Sequence, residues 1–127
     1  MRTRIVALIL AILFITTAPG FAHHSDAAYE RTAIELKNAT IVKYAWRNPH
    51  GIVVCDVKDD AGTVTEWTLE SGSPSAMTSS GWNRNSLAAG DVVTIDVNPA
   101  RNGTKFGRLL RVTKADGKVL NYREVVK

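Results

Sequence analysis

The chain has 127 residues, 45% of them hydrophobic and 22% charged, with 16 Lys and Arg against 12 Asp and Glu. That length supports one hydrophobic core and not two. An aromatic share of 7% excludes a disordered chain, and nine Gly with four Pro exclude a collagen-like or low-complexity polymer.

The chain opens with Arg2 and Arg4, an unbroken apolar run from Ile5 to Ile15, and then Ala18-Pro19-Gly20-Phe21-Ala22. A positive start, a short apolar middle and small residues at Gly20 and Ala22 predict a cleavable secretory signal over residues 1–22. A membrane span needs about 20 apolar residues, and Pro19-Gly20 ends this run too early. The residue directly after the expected cut is His23 and not Cys, which argues against a lipoprotein anchor. The mature chain is therefore expected to start at His23 and to be periplasmic or secreted, with no membrane span. Residues 23–127 form its single domain, entered through a flexible amino-terminal segment over 23–32.

The first strand is expected over 33–46, where Ile34, Leu36, Val42, Tyr44 and Trp46 share one parity. Asn38 and Thr40 interrupt it, as at a bend or bulge. Asn48-Pro49-His50-Gly51 reads as a turn. A second strand follows over Ile52–Lys58 and puts Val53, Cys55 and Val57 on one face. Cys55 is the only cysteine, so no disulfide can form within the chain, and its place in the alternation marks it as a small core residue. Thr63–Glu70 is the third strand, with Trp67 and Leu69 inward and Glu66 and Glu70 outward. Ser73 as N-cap, Pro74 at the first helical position and Gly81 beyond the end mark a helix of about two turns. Trp82 to Asp91 is a connector in which Trp82 is expected at the surface. Strands follow over Val92–Val97, Phe106–Thr113 and Lys118–Asn121.

The order strand-strand-strand-helix-strand-strand predicts an all-β chain with one short helix, built as an OB-like antiparallel barrel of five to six strands. The alternative is an antiparallel β-sandwich. Charge is uneven along this framework. Residues 23–100 hold six Lys and Arg against ten Asp and Glu, whereas residues 101–127 hold eight against two.

Four stretches stand out: Ala22-His23-His24-Ser25, Trp46-Arg47-Asn48-Pro49-His50, Leu69-Glu70-Ser71-Gly72-Ser73-Pro74, and Gly81-Trp82-Asn83-Arg84. In this order, with Ala89-Gly90-Asp91 before a strand, the chain resembles an uncharacterised family of small exported bacterial proteins, catalogued only as a domain of unknown function. Such proteins usually carry an aromatic residue where Asp26 stands here. The resemblance implies export and an OB-like fold, and it implies no activity.

All three histidines of the chain, His23, His24 and His50, lie in these stretches. A mature start at His23 would offer a free α-amino group and an imidazole to one metal ion. A second imidazole, from His50 or His24, would complete a nitrogen site suited to copper. The ordinary roles of these residues are a solvated terminus and a turn position. The other candidate function is an OB-type face that binds an envelope glycan, peptide or protein partner, with Arg47, Arg84 and Arg108 as charge and, since Trp67 sits on the inward parity, Trp46 and Trp82 as the better platforms. Export argues against nucleic acid. No catalytic constellation is recognisable, so the chain is expected to be a non-enzymatic binding module.

Overall fold

A computed structural model describes residues 24–127. The expected signal segment and the expected mature terminus at His23 lie outside these residues. A helical turn, α1 (His24–Ala27), leads into β1 (Ile34–Ala45), β2 (Ile52–Lys58) and β3 (Val64–Glu70). Then come α2 (Pro74–Ser79), β4 (Val92–Pro99), β5 (Phe106–Lys114) and β6 (Val119–Asn121). Among the described residues no helix is long and apolar enough to cross a membrane.

The strands hydrogen-bond in the order β3-β2-β1-β4-β5-β6, and a further parallel pairing joins β3 to β5 through Thr68–Phe106, Leu69–Gly107 and Glu70–Arg108. That contact closes β1-β2-β3-β5-β4 into a barrel and leaves β6 as one extra strand beside β5. A sandwich has two open sheets; closure through β3 and β5 decides for the barrel, with α2 between β3 and β4 as expected. At the head of α2 the Ser73 hydroxyl accepts from the Ala76 amide at 3.3 Å, and Pro74 opens the helix where no amide partner is needed.

Simple alternation fails in β1 because the strand carries two bulges. Between Leu36 and Ala39 the pairing with β4 slips by one residue, and Asn38 sits at φ 51°. Both Leu36 and Ala39 therefore face the core. A second slip, between Ile41 and Lys43, sets Val42 outward at 45% exposure while Ile41 is buried. The expected inward position of Val42 is thus corrected to Ile41. A third slip, in β5, gives Leu109 and Val112 to the core and leaves Leu110 between them. Bulges bend and twist a strand, which is what closing so small a barrel requires.

The core gathers Leu36, Ala39, Ile41, Val53, Cys55, Trp67, Leu69, Val93, Ile95, Val97, Leu109 and Val112 from the strands, with Met77 from α2 and Leu120 from β6. Trp82 and Leu87 complete it from the α2–β4 connector. The expected surface placement of Trp82 is corrected here. Its indole is 1% exposed, and its N–H donates to the Asn121 carbonyl at 2.8 Å. An indole has one polar atom to satisfy, so a single carbonyl acceptor makes its burial inexpensive.

Candidate functional site

The site lies at the barrel end where β2 begins, β3 finishes and β5 starts. Two of the four sequence motifs are stitched together there. The Gly51 amide donates to the Gly72 carbonyl at 3.0 Å, and the Ser71 amide donates to the Gly51 carbonyl at 2.9 Å. A side chain on either glycine would force a neighbour to shift. A Cβ on Gly51 would strike the Ser71 hydroxyl, and one on Gly72 would strike the Tyr122 phenol. The turn after the cis Asn48–Pro49 bond is thereby pressed against the stretch that follows β3.

This contact places His50 beside Glu70. The His50 Nδ1 lies 3.2 Å from the Glu70 Oε1 and 3.3 Å from the Ser71 carbonyl oxygen. Both neighbours are acceptors, so Nδ1 is assigned as the donor, and the tautomer that satisfies them has its lone pair on Nε2. Among the described residues Nε2 has no partner, and the side chain is 56% exposed. Metal-ligating histidines are commonly held in this way, with one ring nitrogen donating to a carboxylate or carbonyl while the other binds the ion.

Glu70 is itself held from the other side. The Tyr29 hydroxyl donates to Glu70 Oε2. Burial of the phenol, and then its hydrogen bond to Glu70, push the Tyr29 pKa well above the ordinary tyrosine value, so it stays a donor. The Tyr29 ring stacks on Phe106 at 6.2 Å between centroids, and the Arg108 guanidinium lies over its face at 4.4 Å. Arg108 also pairs with Asp26 of α1 at 2.7 Å. His50, Glu70, Ser71, Arg108, Tyr122 and Arg123 together line one small cleft.

The stretch just after the expected mature terminus is therefore tied to the same barrel end as the His50 turn. Where a loose leader over 23–32 is expected, the described part carries α1, a buried Tyr29 and a β-bridge from Tyr29 to Ala100. The Glu30 amide donates to the Pro99 carbonyl at 2.8 Å, and the Arg101 amide donates to the Ala28 carbonyl at 3.0 Å.

The other sequence candidates scatter. Trp46 is half-buried against the core and meets Tyr44 edge-on at 6.0 Å, while the Tyr44 hydroxyl donates to the Asn83 carbonyl at 3.2 Å. Arg47 and Arg84 are exposed. Trp82, buried in the core, offers no face to a ligand. Among the described residues no three His, Cys, Asp or Glu side chains gather as a metal site, so His50 stands with Glu70 alone. His23 lies outside the described residues, and His24 opens α1.

Glu70 and Tyr29 are the site residues that sequence reading missed, and Arg108, read there only as charge for a binding face, proves to tie Asp26 and the Tyr29 ring to this end. Alternation assigns Glu70 to a solvated strand face, and nothing local marks Tyr29, which reaches Glu70 from 41 residues away, or the pairing of Arg108 with Asp26 across 82. The usable signal was that Glu70 falls inside one of the four motifs.

Comparison with curated proteins and with solved structures finds no match. Residues 11–111 match the model of a family of unknown function, DUF6152, and the chain belongs to that family.

Proposed function

We propose that the chain is an exported, non-enzymatic binding module that takes up copper at this barrel end. The ligands would be the amino-terminal nitrogen and imidazole of His23, freed by cleavage after Ala22, and the Nε2 of His50. His24 is the alternative source of the second imidazole. One observation carries the reading: His50 donates through Nδ1 to Glu70 and Ser71, which orients the ring and leaves Nε2 as an available donor. The docking of residues 26–30 beside it supports the same conclusion, because it brings the chain to within a few residues of His23 at the His50 end. Nitrogen donors of this kind suit Cu(II). A face for glycans or peptides loses one of its two aromatic platforms with Trp82 in the core.

Calorimetric titration of the exported chain with Cu(II) tests this reading. One site per chain is expected. His50→Ala should weaken it more than tenfold, and Glu70→Gln should weaken it by about 10- to 100-fold through loss of the orienting carboxylate. Affinity should fall steeply below neutral pH, because the free amine has an ordinary pKa of about 7.7–8.0 and protons compete with the metal. Trp46→Ala should leave binding unchanged. A chain extended by one residue before His23 should bind poorly; if it binds copper as tightly as the native terminus, the reading is wrong.

A further inference from the structure

A larger groove adjoins the His50 cleft and shares Arg108 and Arg123 with it. It has a volume of about 630 Å³, within the range of ligand-binding clefts. Its walls come from distant parts of the chain: the stretch after α1, the end of β4, the β4–β5 loop and the carboxyl-terminal residues after β6. Four arginines line it, Arg31, Arg101, Arg108 and Arg123, against Asp26, Glu30 and Glu124.

These charges do not cancel pair by pair. Asp26 is taken up by Arg108 at 2.7 Å. Arg101 donates through Nε to the Tyr29 carbonyl at 2.9 Å and approaches Glu30 only to 4.0 Å, which leaves its terminal nitrogens without a described partner. The Arg123 guanidinium lies over the Tyr122 ring at 5.2 Å, a contact that engages its face and leaves its edge N–H groups available. Neither Arg31 nor Arg123 makes an ion pair among the described residues. The Asn98 side-chain amide, itself on the groove wall, donates to the Arg31 carbonyl at 3.2 Å and so ties that backbone to the end of β4.

We propose that this groove binds a multiply charged oxyanion of metabolite size, a phosphate or a polycarboxylate, held by the guanidinium edges of Arg31, Arg101 and Arg123. Planar guanidinium forks match the paired oxygens of phosphate and carboxylate, and several forks facing one concavity favour an anion with more than one charge. The site is distinct from the proposed copper site, since it uses neither His50 nor the terminal amine.

Calorimetric titration of the exported chain with inorganic phosphate, citrate and acetate tests the proposal. Saturable binding at one site is expected for phosphate or citrate, weakening as salt is added, and none is expected for acetate. Saturation by phosphate alone assigns the phosphate source, and saturation by citrate alone assigns the carboxylate source. Arg31→Gln and Arg123→Gln, both at exposed positions, should each weaken binding about tenfold or more. Lys43→Gln on β1 should leave anion binding unchanged, and a chain extended by one residue before His23, which the copper reading expects to lose its metal, should bind the anion as the native chain does. If neither phosphate nor citrate saturates, or if both arginine variants bind as the native chain does, the proposal is overturned.

Discussion

Trp82 and Cys55 show how one side chain's surroundings set its chemistry. Trp82 follows Gly81 and precedes Asn83-Arg84-Asn85, polar neighbours that hide a core residue from any pattern of alternation. In the fold its ring is enclosed, so Trp82→Ala should cost about 3–5 kcal/mol in a denaturant titration, as loss of a buried aromatic does. A loss under about 1 kcal/mol would contradict its burial. Cys55 is fully enclosed, and burial first, with Asp56 and Glu66 adding, raises its thiol pKa from 9.0 to about 11. Iodoacetamide at neutral pH should leave the native thiol untouched and should label it once denaturant is added. The folded state holds this proton more tightly than the unfolded one. Its contribution is thus complete below about pH 9 and lost as pH rises towards 11. Burial also raises Tyr44, which works in the same direction above pH 10. Thermal melts across this window should show falling stability, with a shallower fall in Cys55→Ala.

At the scale of the element, β1 illustrates how a strand can serve two partners. Its first half pairs with β4 and its second with β2, and a bulge interrupts each pairing. Asn38 takes the left-handed backbone region, which Asn tolerates and a β-branched residue does not. Asn38→Val should therefore cost about 1–2 kcal/mol of stability, while Asn38→Gly should be close to neutral. Chemical denaturation of the two variants distinguishes them; equal costs would mean that backbone conformation is not what Asn38 supplies. The same position opens Asn38-Ala39-Thr40, a glycosylation-type sequence in which Ala39 is buried and Thr40 half-buried within the strand. It reads as a bulge residue first. Elsewhere the local cues matched the elements: Ser73, Pro74 and Gly81 bracket α2, and Cys55 and Trp67 pair across β2 and β3 with both side chains inward.

For the whole molecule, the barrel acts as a frame on which distant segments meet. Arg108 on β5 touches Asp26, the ring of Tyr29 and the cleft of His50, joining the chain's beginning to the turn after β1. The value of this arrangement depends on where the mature chain starts. Under the proposed export, mass spectrometry of the mature protein should show His23 as its first residue, since Gly20 and Ala22 are small residues of the kind that signal cleavage selects. A start elsewhere would remove the amine-and-imidazole chelate and leave the His50–Glu70 pair without the terminal ligand that the copper reading requires.

Local chemistry made much of this protein legible in one dimension. Turn residues, helix-capping residues and the alternation of short strands depend on neighbours in sequence, and they were sufficient to order the strands and helix and to anticipate the barrel. Three things depended on contacts between distant residues. Bulges in β1 and β5 reset which side chains face inward, because closing a small barrel demands curvature that period-two alternation does not encode. Trp82 found its core place only when the connector was laid against β6 and the Asn121 carbonyl. Glu70 changed from a surface carboxylate to the holder of His50 because Gly51 and Gly72 let two turns touch and Tyr29 arrived from 41 residues away. Pairing across such separations is decided by the closed sheet, which alone brings the amino-terminal segment, β3 and the His50 turn to one end.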